Sequence, residues 1–170
     1  MKKVLIVIDM QQDFIYGSLA NPAAQAIVSN IKAKIEHYLA DKNSEVIFTR
    51  DTHRSNYLTT QEGNNLPIEH CIYGTPGWCI IDALEQTSCK HINKSSFGHI
   101  NWDVWIDTEV ESIELVGTCT DICVISNALI LKALYPEVVM KVDASCCAGL
   151  SPEKHEAALE VMRSCQIEVV

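Results

Sequence analysis

Three residues with reactive side chains follow short apolar segments of this 170-residue chain: Asp9, Lys94 and Cys123. A carboxylate near a thiol can take its proton as a general base and return it to a leaving amine. The thiolate is the nucleophilic form of cysteine, and a helix N-terminus favours it through the helix dipole and free backbone N–H groups. If folding brings these side chains together, they could perform nucleophilic catalysis.

Each of the three residues also has a simpler interpretation. Cys123 lies in Gly117-Thr-Cys-Thr-Asp-Ile-Cys123, where a strand turns into a helix with Thr120 as its predicted N-cap. From this segment alone, Cys123 could equally be a small residue packed under the helix. Asp9 could be a turn or cap residue, and a lysine such as Lys94 is more often a solvated surface charge. Proximity in the folded chain would decide between these interpretations.

A second group of polar side chains lies in the long polar segment 51–77. Asp51-Thr-His53 directly follows a predicted strand, and His70 lies further along the same segment. One carboxylate with two imidazoles suits a divalent transition metal with open coordination positions. Asp-x-His is a weak signal, so Asp51 could instead be a cap and the histidines surface residues. A loop of this length inside a compact domain is usually functional.

The apolar pattern predicts strands that alternate with helices. The predicted strands are 4–8, 45–49, a short strand ending near 94, 112–116, 138–142 and 166–170. The predicted helices are 21–40 with apolar positions Ile27, Ile31, Ile35 and Leu39, then 80–86, 121–135 and 151–163, the last with Ser151 as N-cap. This pattern predicts a doubly wound α/β fold, with a mostly parallel six-stranded sheet and helices on both faces. Ligands of such sheets bind beyond the carboxyl ends of the strands, where Asp9, Lys94 and Cys123 are expected.

Composition excludes several classes of protein. The length suits one domain over residues 1–170, and no apolar run of about 18 residues could span a bilayer. The net charge of −9 disfavours binding to nucleic acid or to an anionic membrane surface. The eight cysteines are predicted to be reduced, with Cys79, Cys89, Cys146, Cys147 and Cys165 as small buried hydrophobic residues.

The three reactive residues and their surroundings resemble the Asp-Lys-Cys triad of the isochorismatase-like cysteine hydrolases. The matching segments are Ile8-Asp-Met-Gln-Gln-Asp-Phe14, Asn93-Lys-Ser-Ser-Phe97 and Gly117-Thr-Cys-Thr-Asp-Ile-Cys-Val124, in order and over nearly the whole chain. The resemblance implies that Asp9, Lys94 and Cys123 are catalytic. It also implies a cis peptide bond between Thr118 and Cys119, and an oxyanion hole formed by the N–H groups of Cys119 and Cys123. The family more often has alanine at position 119.

Asp51-Thr-His53 with His70-Cys-Ile-Tyr-Gly-Thr-Pro-Gly77 is similar to the metal pattern of nicotinamidases within this family. The resemblance implies that Asp51, His53 and His70 bind a divalent metal, expected to be zinc with iron or manganese as alternatives. Glu62 resembles an additional ligand, although the neighbouring Glu69 could confuse that assignment. Phe14 matches a ring that packs against the substrate, and Trp102 or Trp105 could form a second wall or belong to the core.

The resemblance implies a cytoplasmic, homo-oligomeric enzyme of nicotinamide salvage that hydrolyses nicotinamide to nicotinate and ammonia through a thioester. The metal would bind the pyridine nitrogen and orient the amide. One alternative is a related hydrolase of another small amide, such as a carbamoyl or ureido compound. A second is a non-catalytic member with a structural metal. A third is a thiol redox protein, suggested by Cys146-Cys147 but without a Cys-x-x-Cys motif.

Overall fold

A computed structural model describes residues 2–170, and a six-stranded sheet forms its centre. The strands are β1 (Lys2–Ile8), β2 (Ser44–Asp51), β3 (Lys90–Lys94), β4 (Val110–Thr118), β5 (Val139–Ala148) and β6 (Glu168–Val169). They lie in the order β3-β2-β1-β4-β5-β6, and each neighbouring pair is parallel. Because the order runs outward from β1 in both directions, the sheet is doubly wound. The predicted fold class is confirmed.

Helices cover both faces of this sheet. The α-helices are α1 (Gln12–Ile15), α2 (Pro22–Ala26), α3 (Val28–Ala40), α4 (Gln61–Asn65), α5 (Ile125–Leu134) and α6 (Pro152–Ser164), and Thr120–Val124 forms a π-helical turn. Side chains of β1 alternate between the faces: Leu5 and Val7 pack with α3, whereas Ile6 packs in the cluster that contains α5 and α6. This alternation explains the continuous apolar run of β1, since both of its faces are buried. No helix in residues 2–170 combines the length and apolarity needed to cross a membrane.

Local signals set the ends of two helices. The Ser151 hydroxyl accepts a hydrogen bond from the Lys154 N–H at 3.2 Å, and Pro152 is the first residue of α6, as predicted. The Asn21 side chain caps α2 in the same way, accepting from the Ala23 N–H at 3.0 Å. Each cap stands at the end of a loop near the carboxyl edge of the sheet. The caps therefore fix the residue at which the chain leaves this edge and begins a helix.

Two predicted helices differ from the structure. The helix predicted over 21–40 is divided at Ile27, and Tyr38 is buried where Leu39 was expected, because position 38 continues the face of Ile31 and Ile35 at helical spacing. The helix predicted over 80–86 is wrong. Ile80 pairs with Gln11 in an isolated antiparallel bridge and the Ile81 N–H bonds the carbonyl of Met10, so the start of this segment bonds to the chain after β1. Only a single turn follows, in which the N–H groups of Leu84 and Glu85 bond the carbonyl of Ile81.

The cysteines are all free thiols in residues 2–170. Cys146 and Cys147 are buried in the core, as expected for small hydrophobic residues, and Cys89 is half-buried. Cys79 and Cys165 are exposed, which contradicts the prediction that they fill the interior. Both lie just beyond the end of a helical turn, where the chain runs over the surface.

Candidate active site

Parallel pairing brings the three sequence-predicted reactive residues together at the carboxyl edge of the sheet. Asp9 follows β1, Lys94 ends β3, and Cys123 lies in the π-helical turn after β4. The Lys94 Nζ is 2.6 Å from Asp9 Oδ2 and 3.6 Å from Cys123 Sγ. All three side chains are buried, and Lys94 is only 2% exposed. Lys94 is therefore not the solvated surface charge that its residue type suggests.

The backbone at this edge is shaped to bring the strands close. Gly117 of β4 has φ 121°, and a Cβ there would lie 2.1 Å from the carbonyl oxygen of Ile8, its partner in β1. Only glycine fits this approach. Asp9 itself has φ 50°, an unusual conformation that points to a functional constraint. The Thr49 hydroxyl donates a 2.6 Å hydrogen bond to Asp9 Oδ1 and accepts one from the Asp9 N–H.

Burial and charge set the protonation of this cluster. Burial raises the pKa of Asp9, although Lys94 opposes the shift. Burial would lower the pKa of Lys94, but the surrounding negative groups raise it above its usual value, so the ammonium stays charged. Burial also raises the pKa of Cys123 well above its ordinary value. Burial therefore favours the thiol over the thiolate at this position, against the effect of the helix N-terminus.

The four residues predicted as metal ligands also converge. Ligand atoms of Asp51, His53, Glu62 and His70 all lie within 4.8 Å of one another. Asp51 Oδ2 is 3.0 Å from His53 Nε2 and 3.6 Å from His70 Nε2, and Glu62 Oε1 is 3.6 and 3.7 Å from the same two nitrogens. Ligands about 2.1 Å from one cation are roughly 3.0 to 3.4 Å apart. The cluster is close to these dimensions and could hold a metal ion, and Glu69 is not part of it.

Supporting hydrogen bonds orient these ligands. His70 Nδ1 lies 2.8 Å from the carbonyl oxygen of Ile68, which can only accept, so in the neutral ring the proton is on Nδ1 and Nε2 is free to bind a metal. The Gln11 side chain bonds both the N–H and the carbonyl of Asp51, at 2.7 and 2.9 Å. Burial opposes ionisation of Asp51, but Lys94 and the histidines hold its pKa below its usual range. Two imidazoles with two carboxylates form a donor set that suits zinc, iron or manganese.

Both clusters open into one small cavity of about 210 Å³. Its lining residues are Phe14, Leu19, Asn21, Asp51, Glu62, Leu66, His70, Phe97, Thr118, Cys119, Ile122, Cys123 and Leu150. Trp102 is fully buried in the core and Trp105 packs against the same core, so neither forms a cavity wall. Phe97 lines the cavity instead. The peptide bond between Thr118 and Cys119 is cis, as the resemblance predicted.

Sequence reasoning missed several residues that support the site. Cys119 is the N-cap of the π-helical turn, and the Thr120 hydroxyl bonds His155 Nδ1 at 2.8 Å instead of capping a helix. Asp13 Oδ2 accepts a 2.8 Å hydrogen bond from the N–H of Cys71, next to the ligand His70. Gln11 and Asp13 lie within the segment Ile8–Phe14 that carries the resemblance, and that position was the available signal.

The fold and the site define a doubly wound α/β protein with a Cys-Asp-Lys cluster beside a group of side chains that could hold a metal ion. The isochorismatase domain family matches residues 3–170, and the chain belongs to this family. The predicted resemblance is confirmed.

Two relatives have names that bear on the site. The nicotinamidase/pyrazinamidase of Mycobacterium tuberculosis is 26% identical over 190 residues, which cover 99% of this chain and 98% of the relative. The pyrazinamidase of Pyrococcus horikoshii, solved in complex with zinc, is 26% identical with a TM-score of 0.85, covering 100% of this chain and 99% of the other. N-carbamoylsarcosine amidase from Thermoplasma acidophilum shares the fold at 24% identity and a TM-score of 0.81, covering 99% and 95% of the two chains.

Proposed function

We propose that this protein is an amide hydrolase that converts nicotinamide to nicotinate and ammonia. The observation that carries the proposal is the shared cavity: the Cys123 side chain and the metal-binding residues Asp51, Glu62 and His70 line the same small apolar space. A substrate bound there would meet a nucleophile and a metal site together. The names of the M. tuberculosis and P. horikoshii relatives describe the same class of substrate.

The size and charge of the cavity favour a small neutral ring amide. Its volume of about 210 Å³ lies below the roughly 300 to 1,000 Å³ that is typical of pockets for drug-sized ligands. Its walls include the rings of Phe14 and Phe97, and no lysine or arginine lines it. A carbamoylated amino acid carries a carboxylate, and no side-chain cation in the lining could pair with it, so only a bound metal ion could. The cavity therefore favours nicotinamide over that alternative.

The chemistry starts at the buried thiol. Asp9 takes the proton of Cys123 as the sulfur attacks the amide carbon, and Lys94 balances the negative charge that the pair carries. The N–H groups of Cys119 and Cys123 hold the oxyanion. Protonated Asp9 then gives its proton to the leaving ammonia, which leaves an acyl thioester on Cys123. Water activated by Asp9 hydrolyses the thioester to nicotinate and restores the thiol.

Asp51, His53, His70 and Glu62 would hold a divalent metal, which when bound would offer an open coordination position to the ring nitrogen or to ordered water. Its contribution is orientation, because fixing the ring places the carboxamide beside the thiol. Assembly into a homo-oligomer and a cytoplasmic location stay predictions from the resemblance.

The test is ammonia release by metal-replete protein from nicotinamide, pyrazinamide and a carbamoylated amino acid. We expect ammonia release from the two ring amides and none from the carbamoylated compound. A chelator should abolish the release. Cys123→Ala should abolish turnover yet keep the metal, whereas Cys146→Ala, which removes a buried core thiol on the other face of the sheet, should keep activity. Turnover by Cys123→Ala would exclude the thioester route, and release from the carbamoylated compound alone would exclude a ring-amide site.

A further inference from the structure

One wall of the cavity comes from a short loop with little regular structure of its own. Residues 95–101, which we name the Phe97 loop, connect β3 to the 3₁₀ turn Trp102–Val104. Phe97 lines the cavity, yet its side chain is 47% exposed, so packing against the core does not hold it in place. Contacts elsewhere in the loop must therefore fix the position of this ring.

A single buried amide provides those contacts. Asn127 of α5 is completely buried, and its Nδ2 donates to the carbonyl of Phe97 at 3.1 Å and to that of Cys123 at 2.7 Å. Its Oδ1 accepts from the N–H of His99 at 2.9 Å and from the indole of Trp102 at 3.3 Å. Both donors and the acceptor oxygen are thus used, which is what a buried amide requires.

The loop also lies against α5 at close range. A Cβ at Gly98 would be 2.5 Å from Cδ1 of Ile130 and 3.5 Å from Cβ of Ser126. At the start of the loop, the Lys94 ammonium donates a hydrogen bond to the carbonyl of Ser96 at 3.1 Å. The loop is therefore held to the catalytic lysine at one end and to the helix after the nucleophile at the other.

We propose that Asn127 is a positioning residue that fixes the distance between the Phe97 ring and the turn that carries Cys123, and so limits the size of ring amide that the cavity accepts. Its amide bonds the backbone of the wall residue and that of the nucleophile with the same nitrogen. An apolar side chain of similar size could fill the space but could not join these two segments. The inference rests on the proposed function only for the identity of the substrate, because the geometry concerns any ligand of this cavity.

Steady-state kinetics separate positioning from structure. Asn127→Leu should raise KM for nicotinamide about tenfold while kcat changes less than threefold, and it should increase the relative kcat/KM for ring-substituted nicotinamides. Asn127→Ser, which is smaller and cannot reach both carbonyls, should act in the same direction if the leucine variant folds poorly. The control Asn30→Leu removes an exposed amide that bonds Ser145 on the other side of the molecule, and it should change neither constant.

Alkylation of Cys123 tests the cavity without any substrate. In a Cys79→Ser, Cys165→Ser background, the rates for iodoacetamide and N-phenylmaleimide would be measured by mass spectrometry of the Cys123 peptide. We expect the ratio of the aromatic to the small reagent to rise at least threefold in both Asn127 variants. An unchanged ratio and an unchanged KM in a folded variant would overturn the positioning role. A raised ratio in a protein that does not release ammonia from nicotinamide would support the positioning role of Asn127 and would contradict only the proposed substrate.

Discussion

Thr49→Val should move the acidic limb of the activity profile. The Thr49 hydroxyl donates its 2.6 Å hydrogen bond to Asp9 Oδ1, and this bond helps to lower the pKa of a carboxyl group that burial raises. Hydrogen bonds to charged groups contribute roughly 1.5 to 3 kcal/mol. If this hydrogen bond stabilises the carboxylate by about 1.4 kcal/mol more than the protonated acid, its loss in the variant raises the pKa of Asp9 by about one unit.

The sign of the change follows from the proposed role of Asp9 as a base. The acidic limb of kcat/KM reports the essential base of the free enzyme, and Asp9 must be deprotonated to act. A higher pKa therefore moves the limb about one unit to higher pH, while the rate well above the limb changes little. The variant also leaves the N–H of Asp9 without its hydroxyl acceptor, which should lower the free energy of unfolding by roughly 1 to 3 kcal/mol.

The assay is ammonia release from nicotinamide across the pH range, with the same metal loading for wild type and variant. Thr59→Val is the matched control, because its hydroxyl bonds only the carbonyl of Asn56 at the exposed end of a 3₁₀ turn. Its limb should coincide with that of wild type. An unmoved limb in Thr49→Val, with normal metal content and a folded protein, would show that Asp9 is not the group that titrates there.

Two further predictions concern the metal loop and stability. Asp13→Ala removes the acceptor for the N–H of Cys71 and should weaken zinc binding about 10- to 100-fold, measured by chelator competition. The control Asp13→Asn keeps an acceptor oxygen and should bind zinc nearly as well as wild type. If Asp13→Ala binds zinc as tightly as Asp13→Asn, this hydrogen bond does not support His70. The half-buried side chains of Lys34 and Asp143 form an ion pair between α3 and β5. Burial raises the pKa of Asp143, but Lys34 holds it below its ordinary value, so this pair stabilises the fold above about pH 4 and the stabilisation is lost as the pH falls through the lowered pKa. Asp143→Asn should thus lower the free energy of unfolding by about 1 to 2 kcal/mol at pH 7 and by progressively less near pH 3, and a deficit that is independent of pH would refute this origin.

The sequence allowed the sheet and the reactive groups to be predicted, because both depend on strong local signals. Continuous apolar strands specify a buried parallel sheet, and parallel strands bring their carboxyl ends to one edge. That rule predicts Asp9, Lys94 and Cys123 at the same edge, and the structure shows that they are in contact there. The metal-binding residues needed the family resemblance, since Glu62 lies on the short helix α4, and nothing in its spacing from Asp51 shows that the two converge.

What the sequence could not show are the contacts between distant segments. The segment 80–86 has helical spacing of Ile80, Ile81 and Leu84, but its backbone bonds to residues after β1, so tertiary pairing overrides the local preference. Phe97 lines the cavity in place of the tryptophans because an asparagine thirty residues later holds its loop, and no local pattern contains that relation.

Asp51 joins the two halves of the site. Its Oδ1 lies 3.4 Å from the Lys94 ammonium, while its Oδ2 lies 3.0 Å from His53 Nε2. One carboxylate therefore contacts the lysine that serves the thiol and the imidazoles that would hold a metal. Because the Lys94 ammonium contacts both Asp9 and Asp51, a substitution at Asp51 changes the electrostatic environment of Asp9. If the proposed roles are right, Asp51→Asn should therefore alter turnover at Cys123 as well as metal affinity.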